Sequence, residues 1–363
     1  MFEVVRRWID RFLSDEEAIL LGVLLIAATV VIVTMGRILA PLLTGIVLSY
    51  VMQGTIRRFM RLSMPKALAV WCTFLLFMGG FVTILFFVIP RVWRQMQRLF
   101  EELPAMASEL EVLLNELPAR YPRFLSEQMV TSWTDLITAE VGEIGQWLVS
   151  VSISQLPFML TLAVYIMLVP IVVFFLLKDQ DAILEWCRGF LPKQRPLLDR
   201  LGHEMNGQMA NYIRGKVLEI FLAGFATYVC FEVFGLDYAA LLAFLVGLSV
   251  VIPYVGVIAV TIPVTIIAYM QFGLSPEFLY LMVAYAVIQA IDGFIVVPLL
   301  FSEANNLHPI AIITAILVFG SWWGLWGVFF AIPLATLIKA VMNAWPQSIL
   351  GPPEPPEDGS ETA

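Results

Sequence analysis

Two histidines and three cysteines in 363 residues are too few for a convincing metal centre or a disulfide framework. His203-Glu204 opens like H-E-x-x-H, but Gly207 stands where the second zinc ligand is needed. Cys72, Cys187 and Cys230 are isolated in or near apolar sequence, where buried thiols are the expectation. The chain has neither the G-x-x-x-x-G-K-[ST] loop of an ATP-driven machine nor the G-x-S-x-G of a serine hydrolase. No catalytic constellation is visible, so an enzyme is not expected, and neither is a metal or cofactor. Charge is scarce too: 14% of residues are Asp, Glu, Lys or Arg, against about 25% in a soluble domain. No basic patch with interleaved aromatics points to nucleic acid. The net charge of −8 arises from acids gathered in one extramembrane segment and the tail.

What the chain has instead is apolar sequence: 60% of its residues, laid down in blocks. A spanning helix needs about 20 such residues. Residues 18–35, 38–54, 67–90, 156–177, 217–234, 238–252, 255–272 and 278–300 qualify as candidates. The block 309–341 is too long for one span and reads as two arms of a hairpin around Gly320, Gly324 and Gly327. The expectation is an all-α, polytopic membrane protein of about eight spans, with broken or re-entrant helical hairpins. A barrel would show short alternating strands. Four parts are expected: N-terminal membrane helices over 1–90, an extramembrane amphipathic segment over 91–155, a membrane core over 156–345 with a cytoplasmic connector at 178–210, and a disordered acidic tail over 346–363. With no A-x-A cleavage pattern after it, the first apolar run reads as a retained anchor.

Lys and Arg set orientation. Arg6, Arg7 and Arg11, then Arg57, Arg58, Arg61 and Lys66, then Lys178, Arg188, Lys193, Arg195 and Arg200, and finally Lys339 all fall on one side if both termini are cytoplasmic. Arg37, Arg91, Arg94 and Arg98 oppose that arrangement. In the extramembrane segment Val92, Met96, Leu99, Leu103, Met106, Leu110, Leu113 and Leu117 form a heptad seam. Pro104 is expected to kink or split it. A second pattern, Trp133, Ile137, Val141, Ile144 and Leu148, follows a turn at 118–122. The readings are a hairpin packed on itself, an oligomerisation element, or a contact with the membrane domain.

The most informative position is Asp292, inside the apolar run 278–300. A carboxylate at membrane depth costs at least ~2.5–3.5 kcal/mol, so such groups face a protein interior or a wet cavity. Gln289 lies one turn earlier on the same face, and Pro298 frees the carbonyl of Phe294. A second polar cluster, Asn211, Arg214, Lys216 and Glu219, opens another span; Lys216 and Glu219 sit three apart and can pair. Arg214 is a candidate partner for Asp292, while snorkelling to the interface is the alternative for Arg214 and Lys216. Two hairpins look alike. One turns at Pro253 and Gly256 with Pro263 in its second arm; the other turns at Gly320–Gly324 with Gly327 and Pro333 following. Paired interrupted helices are a pointer to a transporter's binding site, although Gly and Pro also serve packing alone.

These residues carry a family resemblance. Tyr212-Ile213-Arg214-Gly215-Lys216, Gly247-Leu248-Ser249, Ile252-Pro253-Tyr254-Val255-Gly256, Gln289-x-x-Asp292, Val297-Pro298, Leu307-His308-Pro309, Gly324-x-x-Gly327 and Ile332-Pro333 together resemble the PerM-like permeases of the autoinducer-2 exporter family. The resemblance implies a bacterial inner-membrane protein, forming homo-oligomers in the lipid bilayer, that exports a small polar solute such as a signalling molecule. It also implies ion coupling, with a sodium/proton antiporter as an alternative. A passive oligomeric channel and a non-transporting scaffold are the remaining readings.

Overall fold

The computed structural model describes residues 16–120, 128–132, 134, 155–192, 195–253, 255–301 and 307–344. Among them 91% are helical and none forms a strand. Seven stretches of the described residues are long and apolar enough to cross a bilayer: Ile19–Gly36, Ile38–Arg61, Lys66–Glu109, Leu160–Lys178, Val255–Phe272, Pro276–Phe301 and Leu325–Asn343. Large apolar side chains such as Phe86, Leu160, Phe294 and Leu299 lie on the outside of these helices, as lipid contact requires. The protein is an all-α polytopic membrane protein. The acidic tail, Arg6, Arg7, Arg11 and the second pattern from Trp133 to Leu148 lie outside the described residues.

In chain order the helices are α1 (Glu16–Arg61), α2 (Lys66–Thr83), α3 (Ile89–Arg120), α4 (Gln155–Lys178), α5 (Gln180–Arg188), α6 (Pro196–Val233), α7 (Ala239–Ser249), α8 (Val255–Phe272), α9 (Pro276–Ile291), α10 (Val297–Phe301), α11 (Pro309–Trp323) and α12 (Leu325–Ala344). They fall into two compact units. The first comprises Met1–Leu43, Asp179–Arg214 and Phe301–Ala363; the second comprises Thr44–Lys178 and Gly215–Leu300.

Several sequence expectations are corrected. The candidate spans 18–35 and 38–54 are matched by Ile19–Gly36 and Ile38–Arg61, but without a break between them: α1 runs for 46 residues, about 69 Å at ~1.5 Å per residue. Gly36 forms a notch in it: a Cβ there would strike the Trp323 indole. The candidate span 238–252 shrinks to the 11-residue α7, about 16 Å long and too short to cross a core of about 30 Å. The apolar half of α6 carries Lys216, Glu219 and Glu232. Pro104 does not split its helix, and Pro118, expected to begin a turn, also lies inside α3. Packing on both sides of Pro104 outweighs the lost hydrogen bond, because Leu99 and Met106 both seat against the same core.

That core fixes the meaning of the heptad seam. Val92, Met96, Leu99 and Met106 pack on a cluster built from Phe231, Leu236, Tyr238, Leu242, Val246, Val264, Leu281 and Tyr285. The seam is therefore a docking stripe against α6–α9, the third of the three readings. Polar contacts pin it: the Leu241 N–H donates to Gln95 Oε1 at 2.8 Å, the Tyr238 hydroxyl donates to Glu102, and Arg91 pairs with Glu232.

Two π turns share one sequence cause. Ile84–Val88 precedes Pro90, and Asp292–Val296 precedes Pro298. In each, the residue before proline donates its N–H five residues back, Ile89 to Ile84 and Val297 to Asp292. Proline has no N–H and crowds the carbonyl four residues earlier, so the helix widens by one residue instead of breaking.

Candidate functional site

The second unit gathers three ionisable side chains at its interior. Lys216 and Glu219 come from α6 and Asp292 from the π turn; they are 4%, 3% and 8% exposed. Lys216 Nζ lies 2.7 Å from Glu219 Oε2 and donates to the Val250 carbonyl at 2.9 Å. Val250 closes the C-terminal end of α7, where unpaired carbonyls and the negative end of the helix dipole favour a cation. The snorkelling alternative for Lys216 is thereby overturned: its ammonium turns inward to a helix end. Asp292 is close enough to interact electrostatically with both Lys216 and Glu219.

Local packing explains why Lys216 reaches α7. Gly224 and Gly247 meet backbone to backbone: a Cβ on Gly247 would stand 3.0 Å from the Ile220 carbonyl oxygen and 3.1 Å from Gly224 Cα. Only glycine lets α6 and α7 approach so closely. Across the same turn, Gly256 abuts the Ser249 carbonyl, so any side chain there collides with backbone. The α7–α8 hairpin expected around Pro253 and Gly256 is present, and Pro263 lies within α8.

Asp292 is positioned by a well-started helix. Ser275 caps α9, accepting the Phe278 N–H, and Pro276 fills the first helical position. Oδ1 of Asp292 has no hydrogen-bond donor among the described residues, while Oε2 of Glu219 is met by the Lys216 ammonium at 2.7 Å. Thr227, on α6 three turns from Lys216, is fully buried with its hydroxyl likewise unpartnered. Two carboxylates served by one lysine leave one negative charge over if all three ionise. A buried excess charge of that kind invites a proton or a small cation.

Gln289 belongs to a chain of hydroxyls that the sequence reading missed. Its Nε2 donates to the Tyr285 hydroxyl at 2.7 Å, which lies 3.1 Å from Thr261 Oγ1 on α8. Positions 285, 289 and 292 recur at i, i+4 and i+7, a polar stripe on one face of an apolar helix. That spacing was the available signal.

The other expected residues stand elsewhere. Asn211 and Arg214 belong to the first unit. Arg214 donates to the Ala210 carbonyl at 2.8 Å and to Asn211 Oδ1 at 3.2 Å. Tyr212 donates to the Phe329 carbonyl at 2.8 Å, the acceptor that Pro333 frees four residues on. In the α11–α12 hairpin, Gly324 takes φ 61° at the turn, Gly327 abuts the Phe319 carbonyl, and Gly320 meets Val328. Trp323 and Trp326 each lie nearly parallel to Phe330, at 5.9 and 6.0 Å between centroids. They are packing groups there, while Trp322 is exposed.

Comparison with known proteins agrees with this architecture. The family model described as AI-2E family transporter matches residues 19–347. The chain is 44% identical over 346 residues to a chain of Escherichia coli (strain K12) named as a permease, PerM, covering 95% of this chain and 98% of that one. It is 24% identical over 315 residues to YueF of Bacillus subtilis (strain 168), named as a transport protein, covering 85% and 84%. YrrI of the same organism, also named as a transport protein, is 24% identical over 309 residues, covering 84% and 86%. The resemblance read from the motifs is borne out, and these names indicate a transport protein and not an enzyme. The chain is a multi-pass membrane protein that belongs to the AI-2E transporter family.

Proposed function

We propose that this transporter is a secondary exporter of a small polar solute, driven by an ion gradient, with Asp292 as the group that binds or releases the ion. The observation that carries this reading is a second buried carboxyl, Asp292, within electrostatic reach of the buried Lys216–Glu219 ion pair. An extra ion completes the charge of that cluster, and its departure restores the imbalance, which is the elementary act of coupling. The α7–α8 hairpin beside it supplies a short helix whose carbonyl end Lys216 holds. The π turn supplies a joint at Asp292 itself. On this reading the protein works in the bacterial inner membrane as a homo-oligomer, with both termini in the cytoplasm. The cluster Arg57, Arg58, Arg61 and Lys66 at one turn supports that orientation.

The test is flux in proteoliposomes with a trapped pH dye or a sodium indicator, under imposed proton or sodium gradients and a panel of small polar solutes. Asp292→Asn is expected to abolish gradient-driven flux, a loss of at least about a hundredfold, at normal expression and thermal stability. Unchanged flux in that variant removes the assigned role. A sodium/proton exchange without solute movement would select the antiporter alternative, and ion flow without coupling the channel.

A further inference from the structure

The hydrogen bonds around Gln289 have a fixed direction. Thr261 Oγ1 donates its only proton to the Val257 carbonyl at 2.7 Å. It can therefore only accept from Tyr285, so the Tyr285 hydroxyl proton points to Thr261. With that proton committed, the Tyr285 oxygen accepts, and the group reaching it from Gln289 at 2.7 Å must be the amide N–H. Donation therefore runs from Gln289 to Tyr285 to Thr261 and ends on the Val257 carbonyl, with no freedom to reverse while that carbonyl remains the final acceptor. Tyr285 is 2% exposed and its ring is held against Phe231 at 5.8 Å between centroids, so the hydroxyl stays in place.

The consequence falls on the other end of the amide. Tyr285 lies one turn before Gln289 and Asp292 one turn after, on the same helix face. With Nε2 held at Tyr285, Oε1 is the end of the amide left for the other side. We propose that Tyr285 and Thr261 are positioning residues that lock the Gln289 amide with its oxygen toward Asp292, adding a neutral ligand to the carboxylate oxygens of Asp292 and Glu219 in a site for one small monovalent cation. Oxygen-only ligands suit a proton shared between oxygens or a hard ion such as sodium. The unpartnered Oδ1 of Asp292, on a side chain more than nine-tenths buried, is the vacant acceptor that this ligand set predicts. A freely rotating Gln289 would offer its NH2 half of the time and repel a cation. The inference rests on the ion-coupled reading above and deepens it.

Tyr285→Phe keeps the ring and removes the hydroxyl. Thr261→Val keeps the shape and removes the acceptor, whereas Thr261→Ser keeps the acceptor. With whichever of proton or sodium drives the wild type in the proteoliposome assay, Tyr285→Phe is expected to raise the half-saturating ion concentration about five- to tenfold with little change in maximal rate. Thr261→Val should shift it in the same direction by less, and Thr261→Ser should restore the wild-type value. A purely structural role would lower yield, thermal stability or maximal rate and leave half-saturation alone. If Asp292→Asn is inactive while Tyr285→Phe and Thr261→Val both show wild-type half-saturation, the positioning role is overturned and ion coupling stands. If the wild type shows no ion-driven flux, both fall.

Discussion

The two proline-marked hairpins read alike in sequence and share a backbone device, yet they are held by different means. In α7–α8 and in α11–α12 a glycine just past the turn, Gly256 or Gly327, presses on a carbonyl of the opposite arm, Ser249 or Phe319. There the likeness ends. The ends of α7 are closed by side chains from other helices: Gln95 of α3 takes the Leu241 N–H, and Lys216 of α6 takes the Val250 carbonyl. The ends of α11 are closed locally. His308 accepts the Ile310 N–H at one end, and Gly324 donates to the Gly320 carbonyl at the other. Aromatic rings do the rest, with Phe330 between Trp323 and Trp326. A short helix at membrane depth must have its terminal groups satisfied. Meeting that need with a lysine ties the first hairpin to an ionisable cluster; meeting it with a turn leaves the second as packing. This is why the candidate ion site is assigned to the cluster that closes α7 and not to the look-alike hairpin.

The contrast can be broken most strongly at Lys216. Lys216→Met leaves Glu219 and Asp292 without their cation and uncaps α7, for a loss of about 3–5 kcal/mol, read as a fall in thermal stability of the purified protein in detergent. Adding Glu219→Leu should recover most of that loss, because removing both partners of a buried pair costs far less than removing one. If the double variant is no better than the single, the capping of α7 matters more than charge balance. Next in size are Gly256→Ala and Gly327→Ala. Each puts a methyl into a facing backbone carbonyl, and overpacking of that kind costs about 1–3 kcal/mol. Equal losses of stability with unequal losses of flux, greater for Gly256→Ala, would uphold the division of roles; equal losses of both would erase it. Smallest are the caps. Gln95→Leu removes a partly buried acceptor and should cost about 1 kcal/mol, while His308→Ala, at an exposed helix start, should cost less. Thermal melts of the two variants side by side settle the order.

Much of the candidate site was legible in the chain. Asp292, Gln289, Lys216 and Glu219 stand out because charge and amide groups are rare in apolar runs and because offsets of three place them on one helix face. Arg214 and Asn211 were equally visible, yet they bond to each other and to their own helix; nothing in the spacing separates Arg214 from Lys216 two residues on, though the helix turns about 200° between them. Tyr285 and Thr261 were passed over because hydroxyls at membrane depth are common and carry no charge. The seat of the Trp323 indole over Gly36 joins residues too far apart in sequence for any local pattern to pair them.

Composition and periodicity alone determined the solvent of this protein, its helical class and the rarity of its charges, since those follow from the transfer energies of side chains and from a backbone that must satisfy its own hydrogen bonds in lipid. The sequence also placed the prolines at which helices widen into π turns. Tertiary structure decided which of two neighbouring cations turns inward, which short helix has its ends closed from outside, and which way an amide faces. Those outcomes depend on how near one helix comes to another, and that distance was set by Gly224 against Gly247, a contact between residues that no local pattern pairs.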